Sequence, residues 1–158
     1  MTLSLAVQFA SKAKHLPTRA QVRRWALAAH GGGASEITIR YVDEKEGRAL
    51  NLAYRQKDYA TNVLTFVHEL VTAPHPNPPP LGEGASYAAD IVICAPVIWR
   101  EAREQKKPVA AHHGHMVIHG MLHAQGFDHE IDADAAEMEA IEVALLKRFR
   151  IKNPYDIE

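Results

Sequence analysis

The stretch PVAAHHGHMVIHGMLHAQGFDH, residues 108–129, decides how this chain reads. Pro108 suits the opening of a helix, where a missing amide donor costs nothing. From there Val117, Ile118, Met121 and Leu122 fall on one face of a helical wheel, with Gly114 in the same stripe. His115, His119 and His123 fall on another face, drifting roughly 40° per step. The helix thus has a core side and a histidine side, and a glycine at 114 allows close packing on a neighbour. Gly126 suits the end of the helix, since glycine readily takes the left-handed conformation that reverses a chain. The turn Gly126-Phe127-Asp128 then carries His129 back beside His119 and His123.

Histidines four apart on a helix aim ring nitrogens at one point, as in HExxH zinc sites. His119, His123 and His129 make three neutral nitrogen ligands and leave one coordination position for water, whereas a closed structural site wants four ligands. The pattern predicts one catalytic zinc ion, with bound water whose pKa is drawn toward ~7; another divalent transition metal would suit the same donors. His115, one turn upstream, reads either as a donor behind the ligands or as a core histidine. His112 and His113 are expected to face solvent. Asp128 either orients a ligand ring or the water, or is a plain turn carboxylate. In HExxH peptidases the residue after the first histidine is the glutamate base, and here it is Gly120. Glu130 lies just past the third ligand. Peptide hydrolysis therefore loses its central group. Phosphodiester cleavage by a metal hydroxide or a ribose 2′-OH depends less on such a base, and a guanidinium would grip the phosphate.

Outward from this helix the chain alternates strands and helices. Leu3, Leu5, Val7 and Phe9 alternate with smaller or polar residues, as in a half-buried strand. Thr18 and Gln21 have capping-box spacing, and Val22, Trp25, Ala26 and Ala29 give the helix they open an apolar side. Gly31-Gly32-Gly33 stops it. Ile37, Ile39 and Tyr41 predict a second strand, and Asp43 with Glu46 an N-cap leading into a helix with Leu50, Ala53 and Tyr54. Residues 62–67 read as a third strand, and Ile91 to Cys94 as a fourth buried on both faces. Five of the nine prolines lie in residues 74–80, so the segment at 73–84 reads as a hairpin loop. Pro96 opens a helix to about Gln105. Asp134 and Glu137 cap a last helix carrying Met138, Ile141, Leu145 and Phe149. Trp25 and Trp99 are expected in the core, and Cys94 as a buried small hydrophobe. The fold class is α+β: a single domain, residues 1–158, with a four-stranded mixed sheet surrounded by about five helices.

Composition agrees. The chain has 158 residues and 47% hydrophobic content, which suits one domain with a real core. Eighteen Lys and Arg against nineteen Asp and Glu give a formal net charge of −1, which excludes indiscriminate coating of nucleic acid but not a local basic groove. One cysteine allows neither an intrachain disulfide nor a thiolate zinc cluster. No apolar run approaches the ~18 residues of a membrane span, so a soluble cytoplasmic protein is expected.

The stretch HGMLHAQGFDH resembles the H-G-x-L-H-x-x-G-x-D-H signature of the YbeY endoribonuclease family of bacterial ribosomal RNA maturation factors. Asn51-Leu52-Ala53-Tyr54-Arg55 followed by TNVLTF at 61–66 resembles that family's N-x-x-Y-R…T-N-V-L-S-F segment, and Asp90-Ile91-Val92-Ile93 its G-D-I-V-I strand. The departures are Ala89 for glycine, Thr65 for serine, Val67-His68 for a proline-containing continuation, and the 73–84 insertion. The resemblance implies zinc on His119, His123 and His129, with Arg55 lining the active cleft. It implies single-strand-specific RNA cleavage, 16S rRNA 3′-end maturation and ribosome quality control. The implied partners are ribosomal RNA and the small ribosomal subunit, with ribosomal or GTPase proteins beside them, and no membrane. Two other readings stand beside it: a zinc hydrolase of the peptidase or amidase class, and a non-catalytic ribosome assembly factor with structural zinc. The RNA reading makes one electrostatic demand. Arg40, Arg48, Arg55 and Lys57 have to converge on the histidines, because residues 128–142 carry seven acidic side chains.

Overall fold

The computed structural model describes residues 2–31, 34–68, 87–127 and 132–155. The alternating opening segment forms β1 (Thr2–Ala10). Helix α1 (Arg19–Ala29) starts with a reciprocal capping box: the Thr18 hydroxyl accepts from the Gln21 N–H at 3.1 Å, and Gln21 Oε1 accepts from the Thr18 N–H at 2.9 Å. There follow β2 (Ala34–Val42), α2 (Glu44–Arg55), β3 (Val63–His68), β4 (Tyr87–Cys94), α3 (Ala95–Glu104), α4 (Val109–Ala124) and α5 (Asp132–Arg148). The strands order β1-β2-β4-β3; β1, β2 and β4 run parallel, and β3 pairs antiparallel with β4. Among the described residues the fold is therefore α+β with a four-stranded mixed sheet and five helices, as expected. The antiparallel β3–β4 pair is what a hairpin connection requires, but the proline-rich 73–84 segment lies outside the described residues.

Central β4 carries the continuous apolar run, and Ile91, Val92, Ile93 and Cys94 are all buried. On one face of the sheet Ile39, Ile91 and Ile93 pack with Trp25 of α1, Met116, Ile118 and Met121 of α4, and Met138 and Leu146 of α5. On the other, a smaller cluster of Val42, Leu64, Val92, Cys94 and Val97 takes Leu50 and Phe66 at its rim. Two glycines set α4 close to its neighbours. A Cβ on Gly114 would lie 2.9 Å from Trp25 Cε2, and one on Gly120 would lie 2.8 Å from Ile91 Cγ2, closer than carbon atoms pack. Gly120 thus faces β4, and a glutamate there would enter the core.

Several expectations are corrected. Trp99 is 38% exposed, with Arg103 over its ring at 4.7 Å, because α3 turns this residue away from the sheet. Ala53 and Tyr54 are exposed, since α2 buries only Gly47 and Asn51 fully, with Leu50 at the edge. Asp43 occupies the N-cap position of α2, but its carboxylate accepts from Ser11 and the Lys12 N–H instead of capping, while Glu46 pairs with Arg40. Helix α5 is already running at Asp132, so Asp134 lies inside it. Cys94 is buried as expected, and burial pushes its thiol up to about 11, away from reactivity. Among the described residues no helix is long and apolar enough to cross a membrane.

Candidate active site

Helix α4 arranges His112, His115, His119 and His123 in a column. Successive ring centroids are 6.1, 6.1 and 4.6 Å apart, and the last two rings stand nearly perpendicular at 77°. The lower end of the column opens into a cleft of about 700 Å³. His119, His123, Gly126 and Phe127 form one wall, and the edge strand β3 with Asn62 forms the other. Tyr54 and Arg55 enter from the end of α2. Arg55, His119 and His123, three of the residues singled out in the sequence, therefore share one cavity.

Local chemistry explains the convergence. Helix α2 ends on Gln56 in the left-handed conformation, φ 59°. The buried Asn51 donates its amide to the Tyr59 carbonyl at 2.7 Å, which folds the following loop back toward β3. Asn62 donates to Glu101 Oε1 at 3.1 Å, and its carbonyl accepts from the Cys94 N–H at 3.0 Å. The segments NLAYR and TNVLTF thus position the cleft wall as well as furnishing Tyr54 and Arg55. Gly126 takes φ 98°, the left-handed end the sequence calls for. Asp128, His129 and Glu130 lie outside the described residues.

Behind the ligand face sits a carboxylate that the sequence reading missed. Glu142 of α5 is 0% exposed. It accepts from His119 Nδ1 at 2.5 Å, from His115 Nε2 at 3.0 Å and from the Tyr155 hydroxyl. Burial alone would raise its pKa, but the hydrogen bonds from His115, His119 and Tyr155 outweigh burial and hold it at about 2. An ionised carboxylate only accepts, so His119 donates to it from Nδ1, and Nε2 is the atom it would offer a metal. That is the arrangement a metal-binding histidine needs, with a carboxylate fixing the ring from behind. Burial, with smaller contributions from His119 and Lys107, lowers the pKa of His115 against the pull of Glu142. The two readings left open for His115 merge: it is buried, and it braces Glu142. Glu142 lies in step with Met138 and Leu146, four residues apart along one buried stripe of α5. A glutamate at an apolar position was the signal available in the sequence.

The donor chemistry fits a divalent metal ion. His115, His119 and Glu142 form a cluster of metal-ligating type, with ligand atoms within 4.8 Å of one another. Those atoms are hydrogen-bonded among themselves, so the cluster acts here as a brace, while His119 and His123 both line the cleft.

Other expectations change. His112 and His113 are 3% and 1% exposed, because α4 is enclosed by α1, α3 and α5 as well as the sheet. His112 bonds Glu101 at 2.9 Å, and His113 packs on Tyr41 with its pKa lowered to about 4 by burial. The basic convergence reduces to Arg55. Arg40 pairs with Glu46 at 2.6 Å, Arg48 with Asp58 at 2.7 Å, and Lys57 does not line the cleft. Asp90 pairs with His68 at 2.8 Å on a separate groove, and Ala89 is buried in the core.

Comparison with known proteins points one way. The family model described as Endoribonuclease YbeY matches residues 7–150. A protein of Thiobacillus denitrificans named Endoribonuclease YbeY is 55% identical over 153 residues, covering 97% of this chain and 96% of the relative. One of Aromatoleum aromaticum with the same name is 50% identical over 156 residues, covering 97% and 92%. A Thermotoga maritima protein solved in solution shares the fold, with a TM-score of 0.54 and 20% identity over 96% of this chain and 99% of that one.

Proposed function

The chain belongs to the YbeY endoribonuclease family, and on that premise we propose that it is a single-strand-specific, metal-dependent endoribonuclease. Its centre is one zinc ion on His119, His123 and His129, with Arg55 as the phosphate-binding group. Its task is 16S rRNA 3′-end maturation and ribosome quality control in the cytoplasm. Its partners are ribosomal RNA in the small subunit, and ribosomal or GTPase proteins.

The observation that carries this reading is the meeting of Arg55, His119 and His123 in one cleft. A guanidinium holds a phosphodiester through two parallel hydrogen bonds, and a metal supplies a Lewis acid for the phosphoryl oxygen and activates water. Glu142 holds the His119 ring in one orientation through Nδ1 while the phosphate arrives. Among the described residues no carboxylate lines the cleft, and the position that carries the base in HExxH peptidases is Gly120, closed against Ile91, which weighs against the peptidase reading. Neutral net charge does not count against the site, because a single phosphate beside one guanidinium and a cation needs no extended basic surface.

Metal content and cleavage of single-stranded RNA, measured together on wild type, His123→Ala and Arg55→Ala, test the proposal. His123→Ala should lose both metal and cleavage; Arg55→Ala should keep the metal and lose cleavage. Casein hydrolysis without RNA cleavage would replace the ribonuclease with a peptidase. A 2′,3′-cyclic phosphate on the product would identify the ribose hydroxyl as nucleophile.

A further inference from the structure

Tyr54 is an aromatic residue that the core does not enclose. It is 67% exposed at the last turn of α2, where the apolar stripe of the helix has already run out. Its ring is nevertheless fixed. Phe66 of β3 meets it edge-on, with centroids 4.9 Å apart and planes at 60°. The pair stands on a boundary. Both residues line the histidine cleft, and both line a second groove of about 410 Å³ with Gln8, Thr38 and Val92 on the other face of the sheet. Arg55, the next residue, lines the cleft alone.

We infer that Tyr54 is a stacking platform for an unpaired nucleobase next to the phosphate held by Arg55, and so helps set the preference for single-stranded RNA. The inference rests on the ribonuclease reading. Consecutive helical residues point about 100° apart, so one presents a ring and the other a guanidinium to neighbouring parts of a strand. A base reaches an aromatic ring only when it is out of its duplex stack, so such a platform rewards single strands and tolerates any base. Phe66 fixes the ring beforehand, which reduces the side-chain ordering that binding would otherwise demand.

The test is steady-state cleavage of a single-stranded RNA oligonucleotide by metal-loaded wild type, Tyr54→Ala, Tyr54→Leu and Tyr54→Phe. The same oligonucleotide is also prepared with one abasic nucleotide at each position flanking the cut. Tyr54→Ala and Tyr54→Leu should raise KM roughly tenfold with kcat little changed, and Tyr54→Phe should restore it. At one flanking position the abasic substrate should bind wild type as weakly as it binds Tyr54→Ala, because ring and base are then absent by turns. Full cleavage efficiency in Tyr54→Ala, or in Tyr54→Leu, overturns the platform while leaving the ribonuclease intact. So do abasic effects that are equal in wild type and Tyr54→Ala at every position. A wild-type protein that cuts no RNA removes the underlying reading instead.

Discussion

The two halves of α4 carry the same residue type to different ends. His112 and His113, in the first half, are sealed among α1, α3 and the sheet, and their rings meet Glu101 and Tyr41. His119 and His123, in the second half, line a cleft, and the first of them is braced by a buried carboxylate. Position around the helix does not by itself separate the roles, since His112 stands in the same column as His119 and His123. What separates them is what the rings meet: protein alone for the first pair, and an accessible cavity as well for the second.

Replacing each histidine is the most direct way to break this contrast. His119→Ala should abolish RNA cleavage and metal retention, a loss larger than the ~10–100-fold that removing an outer partner costs. His112→Ala should leave the metal stoichiometry intact. Metal analysis and cleavage rates on the two variants decide it, and equal metal loss in both would erase the distinction. Glu142→Gln comes next. It retains shape but ends the ionised contact to His119 Nδ1, and metal affinity should fall about 10–100-fold, read by competition with a chromophoric chelator.

The smaller effects concern stability. Gly120→Ala forces a methyl toward Ile91 and should cost about 1–3 kcal/mol in urea unfolding. An unchanged midpoint would mean that α4 is not seated on β4 as described. His113 sharpens the comparison through pH. Burial depresses its pKa from 6.5 to about 4, so above pH 6.5 it is neutral in both folded and unfolded chains. As pH falls from 6.5 toward 4 only the unfolded chain takes up the proton, and stability drops, by about 2 kcal/mol at pH 5. His113→Leu should flatten that part of the acid limb in denaturation series at stepped pH. A limb of unchanged slope would show that the ring is not held neutral.

The features legible in the sequence are those set by neighbours along the chain. The Thr18–Gln21 capping box, the apolar run of β4, the left-handed end at Gly126 and the shared face of His119 and His123 all depend on spacing within a few residues. The misread features depend on distant partners. A helical wheel assigns His112 and His113 to solvent because it assumes a single covered side, whereas α4 is covered on several. Glu142 read as one more charge in an acidic run, because its donors lie 13, 23 and 27 residues away. Arg40 and Arg48 read as available for a basic cleft, whereas Glu46 and Asp58 pair with them in the fold.

The hydroxyl of Tyr155 ends on the same carboxylate that steadies His119. A purification tag or truncation that shifts this tyrosine therefore acts on a cleft imidazole through one intervening group. Preparations that differ only in tag placement belong in the same metal titration, as an experimental variable in their own right.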